Sequence, residues 1–192
     1  MLGVKLLPFL TFRRGDNGNM KLLFDFWQDL ETIIQNNKIM IHETTLRVRY
    51  SETDQMGIVY YANYFVWMEV GRTSLIKECG ISYKEIEEKG FLLPVAYTAA
   101  KFINPSFYDD EIVVQSGLIE FTKTKVSIGY KIFRSIQDKR ELVCVGVSDL
   151  VCLDKITRKI AKLPEFFVNS LKTYDTNEYR EFVKFVKNTL RL

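Results

Sequence analysis

Asp54 and Tyr61 stand seven positions apart in the stretch Tyr50-Ser-Glu-Thr-Asp-Gln-Met-Gly-Ile-Val-Tyr-Tyr-Ala-Asn-Tyr64. The stretch reads as a strand end, an acidic loop holding one glycine, and the start of an amphipathic helix. A carboxylate is thereby set beside a helix N-terminus. Free backbone N–H groups there carry a partial positive charge that can hold a developing oxyanion. A carboxylate and an oxyanion hole are the minimum apparatus for opening an acyl bond. Each residue also has a plainer use. Asp54 could cap or turn the chain ahead of the helix. Tyr60, Tyr61 and Tyr64 could be core aromatics, Asn63 a brace for the loop, and Glu52 a structural carboxylate. Gly57 supplies a backbone shape that other residues resist.

Other chemistries are poorly served. The single histidine, His42, lies outside this stretch at a strand start, and any Ser-His-Asp or Cys-His machinery would have to use it. Cys79, Cys144 and Cys152 are odd in number and form no CxxC, which points to neither a disulfide framework nor a zinc site. Cys144 and Cys152 share one face of a strand-like run and suit a core kept in a reducing compartment. A formal net charge of +3 is too mild for a nucleic-acid protein. No apolar run approaches the ~20 residues of a membrane span. In Met1–Arg14 the arginines follow the apolar part instead of preceding it, so secretion is not expected. A length of 192 residues, 47% of them hydrophobic, suits one domain with additions.

The elements that must position Asp54 and Tyr61 follow from periodicity. Residues 1–40 read as an appended segment, with Leu23, Phe26, Trp27, Leu30, Ile33 and Ile34 at helical spacing; Met20 and Met40 are alternative starts. Thr45–Tyr50 alternates as a strand with Leu46, Val48 and Tyr50 on one face. Tyr64, Phe65, Trp67, Met68, Gly71, Leu75, Ile76 and Cys79 mark a long helix with one apolar stripe, ended by Gly80. Gly71 within that stripe predicts close approach to a sheet. Ser82 caps a short second helix. A long strand over Leu92–Phe102 ends at Asn104-Pro105, and Tyr108-Asp109-Asp110 is a turn. Strands over Ile112–Phe121 and Lys125–Arg134 form a hairpin, and Leu142–Leu153 is the last strand. Pro164 opens a short helix, and Asp175–Glu178 starts a terminal one whose other face carries Arg180, Lys184, Lys187 and Arg191. Strands joined by short turns are antiparallel. One striped helix covers one face of such a sheet. The other face and the edges need cover, which predicts a homo-oligomer.

This order, with Arg49-Tyr50, Thr53-Asp54, Gly57-Ile58-Val59-Tyr60-Tyr61, Asn63-Tyr64 and the Tyr108-Asp109-Asp110 turn, resembles the hotdog-fold acyl-CoA thioesterases of the 4-hydroxybenzoyl-CoA thioesterase branch, over about residues 42–172. The resemblance implies an α+β hotdog fold: a curled antiparallel sheet of about five strands wrapped on one long helix, here with extra N- and C-terminal helices. It divides the chain into a 1–40 extension, a 41–172 hotdog domain and a 173–192 C-terminal helix. It implies that Asp54 is the catalytic carboxylate, as nucleophile or general base, and that the Tyr61 backbone N–H polarises the carbonyl. Many bacterial relatives carry histidine where this chain has Tyr61. Tyr60 joins the catalytic candidates; Gly57, Asn63, Lys123 and Lys125 are the substrate-binding candidates, the two lysines lying at the hairpin where the family often holds the nucleotide end of coenzyme A. A solvated hairpin tip serves those lysines equally well, and Arg134 and Lys131 are weaker candidates.

The implied activity is cytoplasmic acyl-CoA hydrolysis without metal or redox cofactor, coenzyme A entering only as part of the substrate. The implied assembly is a homodimer with its sites at the dimer interface, or a homotetramer. Two other readings stand beside it: a thioesterase acting on acyl carrier protein, and a non-catalytic acyl-CoA binding module. The aromatic residues and the Leu92–Val95 segment suit an aryl or an aliphatic acyl group alike.

Overall fold

A computed structural model describes residues 41–137, 139–171 and 176–192. The expected helix within 1–40 and Asp175 of the expected helix start lie outside the described residues. The elements run β1 (Ile41–Arg47), a 3-10 turn (Tyr50–Glu52), α1 (Ala62–Glu78), α2 (Tyr83–Glu88), β2 (Phe91–Leu92), β3 (Val95–Phe102), β4 (Glu111–Phe121), β5 (Lys125–Ile136), β6 (Lys139–Val151), β7 (Leu153–Asp154), α3 (Glu165–Ser170) and α4 (Asn177–Leu190). Five strands form one antiparallel sheet in the order β1-β4-β5-β6-β3, and β2 pairs separately with β7.

Alternation decides which side chains meet α1. Ile112, Val114 and Leu118 of β4, and Val126, Ile128, Tyr130 and Ile132 of β5, are buried in one cluster with Tyr64, Trp67, Met68, Leu75 and Ile76 of α1. Gly71 lets the helix down onto β4: a Cβ there would collide with Ser116 Oγ and lie 2.7 Å from Val114 Cγ1. The β4–β5 hairpin closes through Thr122, whose Oγ1 accepts the N–H groups of Thr124 and Lys125. Ser82 and Glu85 cap α2 reciprocally, and the Thr176 hydroxyl accepts the Tyr179 N–H at the start of α4.

The structure departs from the sequence reading at three places. The expected strand over Leu92–Phe102 is two strands. Pro94, which lacks an N–H, interrupts the ladder, so Phe91 and Leu92 pair with β7 while β3 starts at Val95. The first strand stops at Arg47, and the 3-10 turn that follows swings Tyr50 out to 80% exposure while Val48 stays buried. The outer face of the sheet is covered from within the chain. Phe182 and Val186 of α4 pack on Ile119, Val145 and Val147, and Gly129 leaves room for Val186. Lys131 of β5 lies 5.2 Å from the Phe182 ring centroid and 4.6 Å from that of Phe185, and burial lowers its pKa. Among the described residues no strand pairs with the outer edge of β3, where Val95, Tyr97 and Phe102 are exposed. Among the described residues no helix is long and apolar enough to cross a membrane.

Candidate active site

The loop between the 3-10 turn and α1 is built from the backbone outward. Asp54 N–H donates to Ile58 O at 2.9 Å, and Gly57 N–H to Asp54 O at 2.9 Å, closing a tight turn. Gly57 takes φ +75°, a left-handed conformation costly for other residues, with open space around it. Asp54 Oδ1 accepts the Met56 N–H at 2.8 Å, which leaves the rest of the carboxylate to the cavity beside it. The far side of the loop is pinned to a neighbouring segment: Val59 N–H donates to Ser106 O, and Ile58 bridges to Phe107.

Tyr61 is the N-cap residue of α1, with helical φ −53° and ψ −31° and no side-chain cap. Among the described residues its N–H has no hydrogen-bond acceptor. Asp54 and Tyr61 both line a cavity of about 430 Å³, with Met56, Ile58, Val59, Tyr64, Phe102, Ile103, Asn104 and Pro105 completing the wall. The wall is mostly apolar. The Tyr64 ring sits 5.2 Å from that of Phe102, and the Tyr64 hydroxyl donates to Ser106 Oγ at 3.2 Å. Burial raises the pKa of that phenol.

The other sequence candidates fall at varied distances from this cavity. Tyr60 is outside its wall, with its ring 4.6 Å from that of Tyr61. Asn63 faces the loop: its Nδ2 donates to Glu52 O at 2.8 Å. Lys123 and Lys125 sit at the β4–β5 hairpin, beside the Val95 end of β3, whereas the cavity takes the Phe102 end. At about 3.3 Å per residue the two ends of β3 are roughly 23 Å apart. Lys125 is engaged with Asp149 at 3.1 Å. Leu92–Val95, expected to suit the acyl group, do not line this cavity; Phe102–Pro105, at the other end of β3, do. Sequence reasoning missed that wall. The Asn104-Pro105 strand end was visible, but the pairing of the Ser106 and Phe107 that follow it with Val59 and Ile58 is a long-range contact with no local signal.

Glu52 is the surprise of the loop. It is 4% exposed, and its carboxylate accepts the Arg49 N–H at 2.7 Å, Arg49 Nη2 at 2.9 Å and Trp67 Nε1 at 3.2 Å. Burial pushes its pKa up, but these donors outweigh burial and hold it below the ordinary carboxylate range.

A five-stranded antiparallel sheet with α1 packed on one face, and Asp54 and Tyr61 lining one cavity beside the start of that helix, is the arrangement of a hotdog fold. The chain belongs to the thioesterase-like superfamily, whose family model matches residues 48–171. It is 38% identical over 135 residues to YneP of Bacillus subtilis (strain 168), a provisionally assigned acyl-CoA thioesterase, covering 70% of this chain and 96% of that one. Among solved structures it is similar to the DHNA-CoA thioesterase of Staphylococcus aureus, with 28% identity and a TM-score of 0.63, covering 79% of this chain and 96% of that one. It shares the fold of 4-hydroxybenzoyl-CoA thioesterase from Pseudomonas sp. strain CBS-3, at 19% identity and a TM-score of 0.63, over 68% of this chain and 99% of that one.

Proposed function

We propose that this protein hydrolyses the thioester of an acyl- or aryl-coenzyme A, releasing the free acid and the thiol. Asp54 attacks the thioester carbonyl carbon, or removes a proton from the water that does. The oxygen of that carbonyl gains negative charge and is held by the Tyr61 N–H at the positive end of α1. Collapse of the tetrahedral species expels the coenzyme A thiolate, which takes up a proton. With Asp54 as nucleophile, water then opens the resulting anhydride. Neither route draws on a metal or a redox cofactor. The observation that supports this reading is the shared cavity: one mostly apolar chamber is lined by both Asp54 and Tyr61, and the Tyr61 N–H at the start of α1 has no hydrogen-bond acceptor among the described residues.

The acting unit on this reading is at least a homodimer. The open β3 edge presents Val95, Tyr97 and Phe102, and Phe102 also lines the cavity. A second copy added antiparallel along β3 would set its Val95 end beside Phe102, bringing the partner's Lys123 and the partner's Lys125 near the mouth of this cavity, within reach of coenzyme A phosphates. Tetramers remain compatible with this edge. Cys79, Cys144 and Cys152 form no disulfide, which supports a reducing, cytoplasmic setting.

The test is thiol release from a panel of acyl-CoAs, short to long aliphatic and benzoyl types, with wild type and Asp54→Asn compared. Turnover in wild type that falls by at least about 10²-fold in the variant is expected, by analogy with loss of one oxyanion donor. An Asp54→Asn protein that hydrolyses at the native rate overturns the reading. Turnover confined to carrier-bound acyl groups transfers it to acyl carrier protein. Binding of acyl-CoA with no turnover of either substrate makes the protein a binding module.

A further inference from the structure

We propose that Glu52 is a positioning residue, holding Asp54 and the Tyr61 N–H in register across the cavity. This rests on the reading of those two groups given above. The loop has two arms. One carries Asp54, two residues after Glu52; the other carries Tyr61, at the start of α1. Residue 52 is joined to the first arm by the chain itself, through Thr53, and is hydrogen-bonded to the second. Its main-chain carbonyl accepts the Tyr60 N–H at 2.9 Å and Asn63 Nδ2 at 2.8 Å, so the first turn of α1 hangs on it. Its side chain accepts the Trp67 indole from the next turn of the same helix and both the N–H and guanidinium of Arg49 from the strand side.

Chemistry explains why the group is a carboxylate. Two lone-pair-bearing oxygens must satisfy three donors at once in a place nearly closed to water, and only an ionised carboxylate accepts at every site. Burying that charge is unfavourable unless it is fully paired. Residue 52 faces the cavity with neither oxygen, and it is absent from the cavity wall. Its effect on the reaction therefore goes through placement. A displacement of about 1 Å between a reacting group and its oxyanion donor can cost about 10²-fold in rate.

Glu52→Gln and Trp67→Phe test this. Glutamine keeps the shape of Glu52 but turns one acceptor into a donor. Phenylalanine keeps the ring at 67 and removes only the indole N–H. Each single variant is expected to lower kcat by about ten- to a hundredfold with KM changed less than about threefold. The double variant is expected to lose no more than the worse single, since both cut one link. Glu52→Asp, with the charge kept on a shorter arm, should recover part of kcat over Glu52→Gln. Far-UV circular dichroism and melting temperature show whether each variant is folded before its rate is read. Folded Glu52→Gln with native kcat overturns the proposal, as do additive losses in the double variant. Asp54→Asn with native activity would sink the underlying reading instead, so the two failures are separable.

Discussion

The two faces of the sheet are both covered by a helix, and the two coverings differ in kind. On the inner face α1 sits in one continuous cluster that reaches from Val48 to Leu171, takes buried residues from β4, β5 and β6, and has Leu46 of β1 and Ala100 of β3 packed against it. On the outer face Phe182 and Val186 of α4 meet three buried side chains of the sheet, Ile119, Val145 and Val147, with a lysine laid against two phenylalanine rings at their margin. The site belongs to the first covering alone: α1 supplies its N-terminus to the cavity, and no residue of α4 lines it. The difference teaches that the chain needs α1 to be a folded protein and an enzyme at once. It needs α4 only to close a surface. The second cavity sharpens the contrast. It has about 260 Å³ beneath the end of α4, and there Lys125 and Asp149 neutralise each other, whereas the Asp54 carboxylate has no cation beside it among the described ion pairs.

The largest effect should come from closing the inner gap. Gly71→Val puts branched carbon where Ser116 Oγ and Val114 already lie. The stiff Val114 side chain and the β4 backbone cannot both retreat, so the helix must rise off the sheet. The expected loss is on the order of 3 kcal/mol or more, read as a lower urea midpoint, together with loss of thiol release because the N-terminus of α1 moves with the helix. A Gly71→Val protein with native stability and rate would mean that α1 is less tightly seated than the structure has it. The outer face should answer differently. Val186→Asp places a charge in the small cluster under α4. The helix can escape by undocking, so the cost is capped by the docking of α4 as a whole, of which the burial of Val186 alone contributes about 2 kcal/mol. Thiol release per folded molecule should stay within about twofold of wild type. A loss of kcat comparable with that of Gly71→Val would erase the distinction between the faces.

The inner face was the more legible of the two in the sequence, for a physical reason. Period-two alternation in β4 and β5 and the 3.6-period stripe of α1 are local patterns, and both are imposed by burial against the same partner. Gly71 was legible as a close approach because a glycine inside an apolar stripe has few other uses. The apolar stripe of α4 was visible too, through Phe182 and Val186. What it covers was not, since the odd-numbered outer residues of β5, Gly129 and Lys131, look like a solvated face. At the site, Asp54, Gly57 and Tyr61 could be picked out because one contiguous string carries them. Phe102–Pro105 could not, because they reach the cavity through tertiary pairing. Nor could the burial of Glu52: strand alternation put it beside Tyr50, and the 3-10 turn sent the two side chains to opposite environments, one buried and one exposed.

The smallest of these effects is also the most specific to the inner face. The folded Glu52 carboxyl is held below the ordinary carboxylate range because its donors outweigh the cost of burial. A group with a depressed folded pKa contributes stability that is present above its unfolded pKa and is lost as pH falls through the folded one. Wild type should therefore lose an increment of stability on acidification below about pH 4.5, and Glu52→Gln, with nothing to titrate there, should lack that increment. Urea midpoints for the two proteins should differ most near neutrality and converge in acid. Val186→Asp serves as the control on the other face. Its deficit against wild type should not shrink in the same way if the undocked aspartate stays in water, because an exposed carboxyl titrates alike in the folded and unfolded chains. Wild type and Glu52→Gln running parallel from pH 7 to pH 3 would remove the charge from the account of Glu52 and leave only its shape.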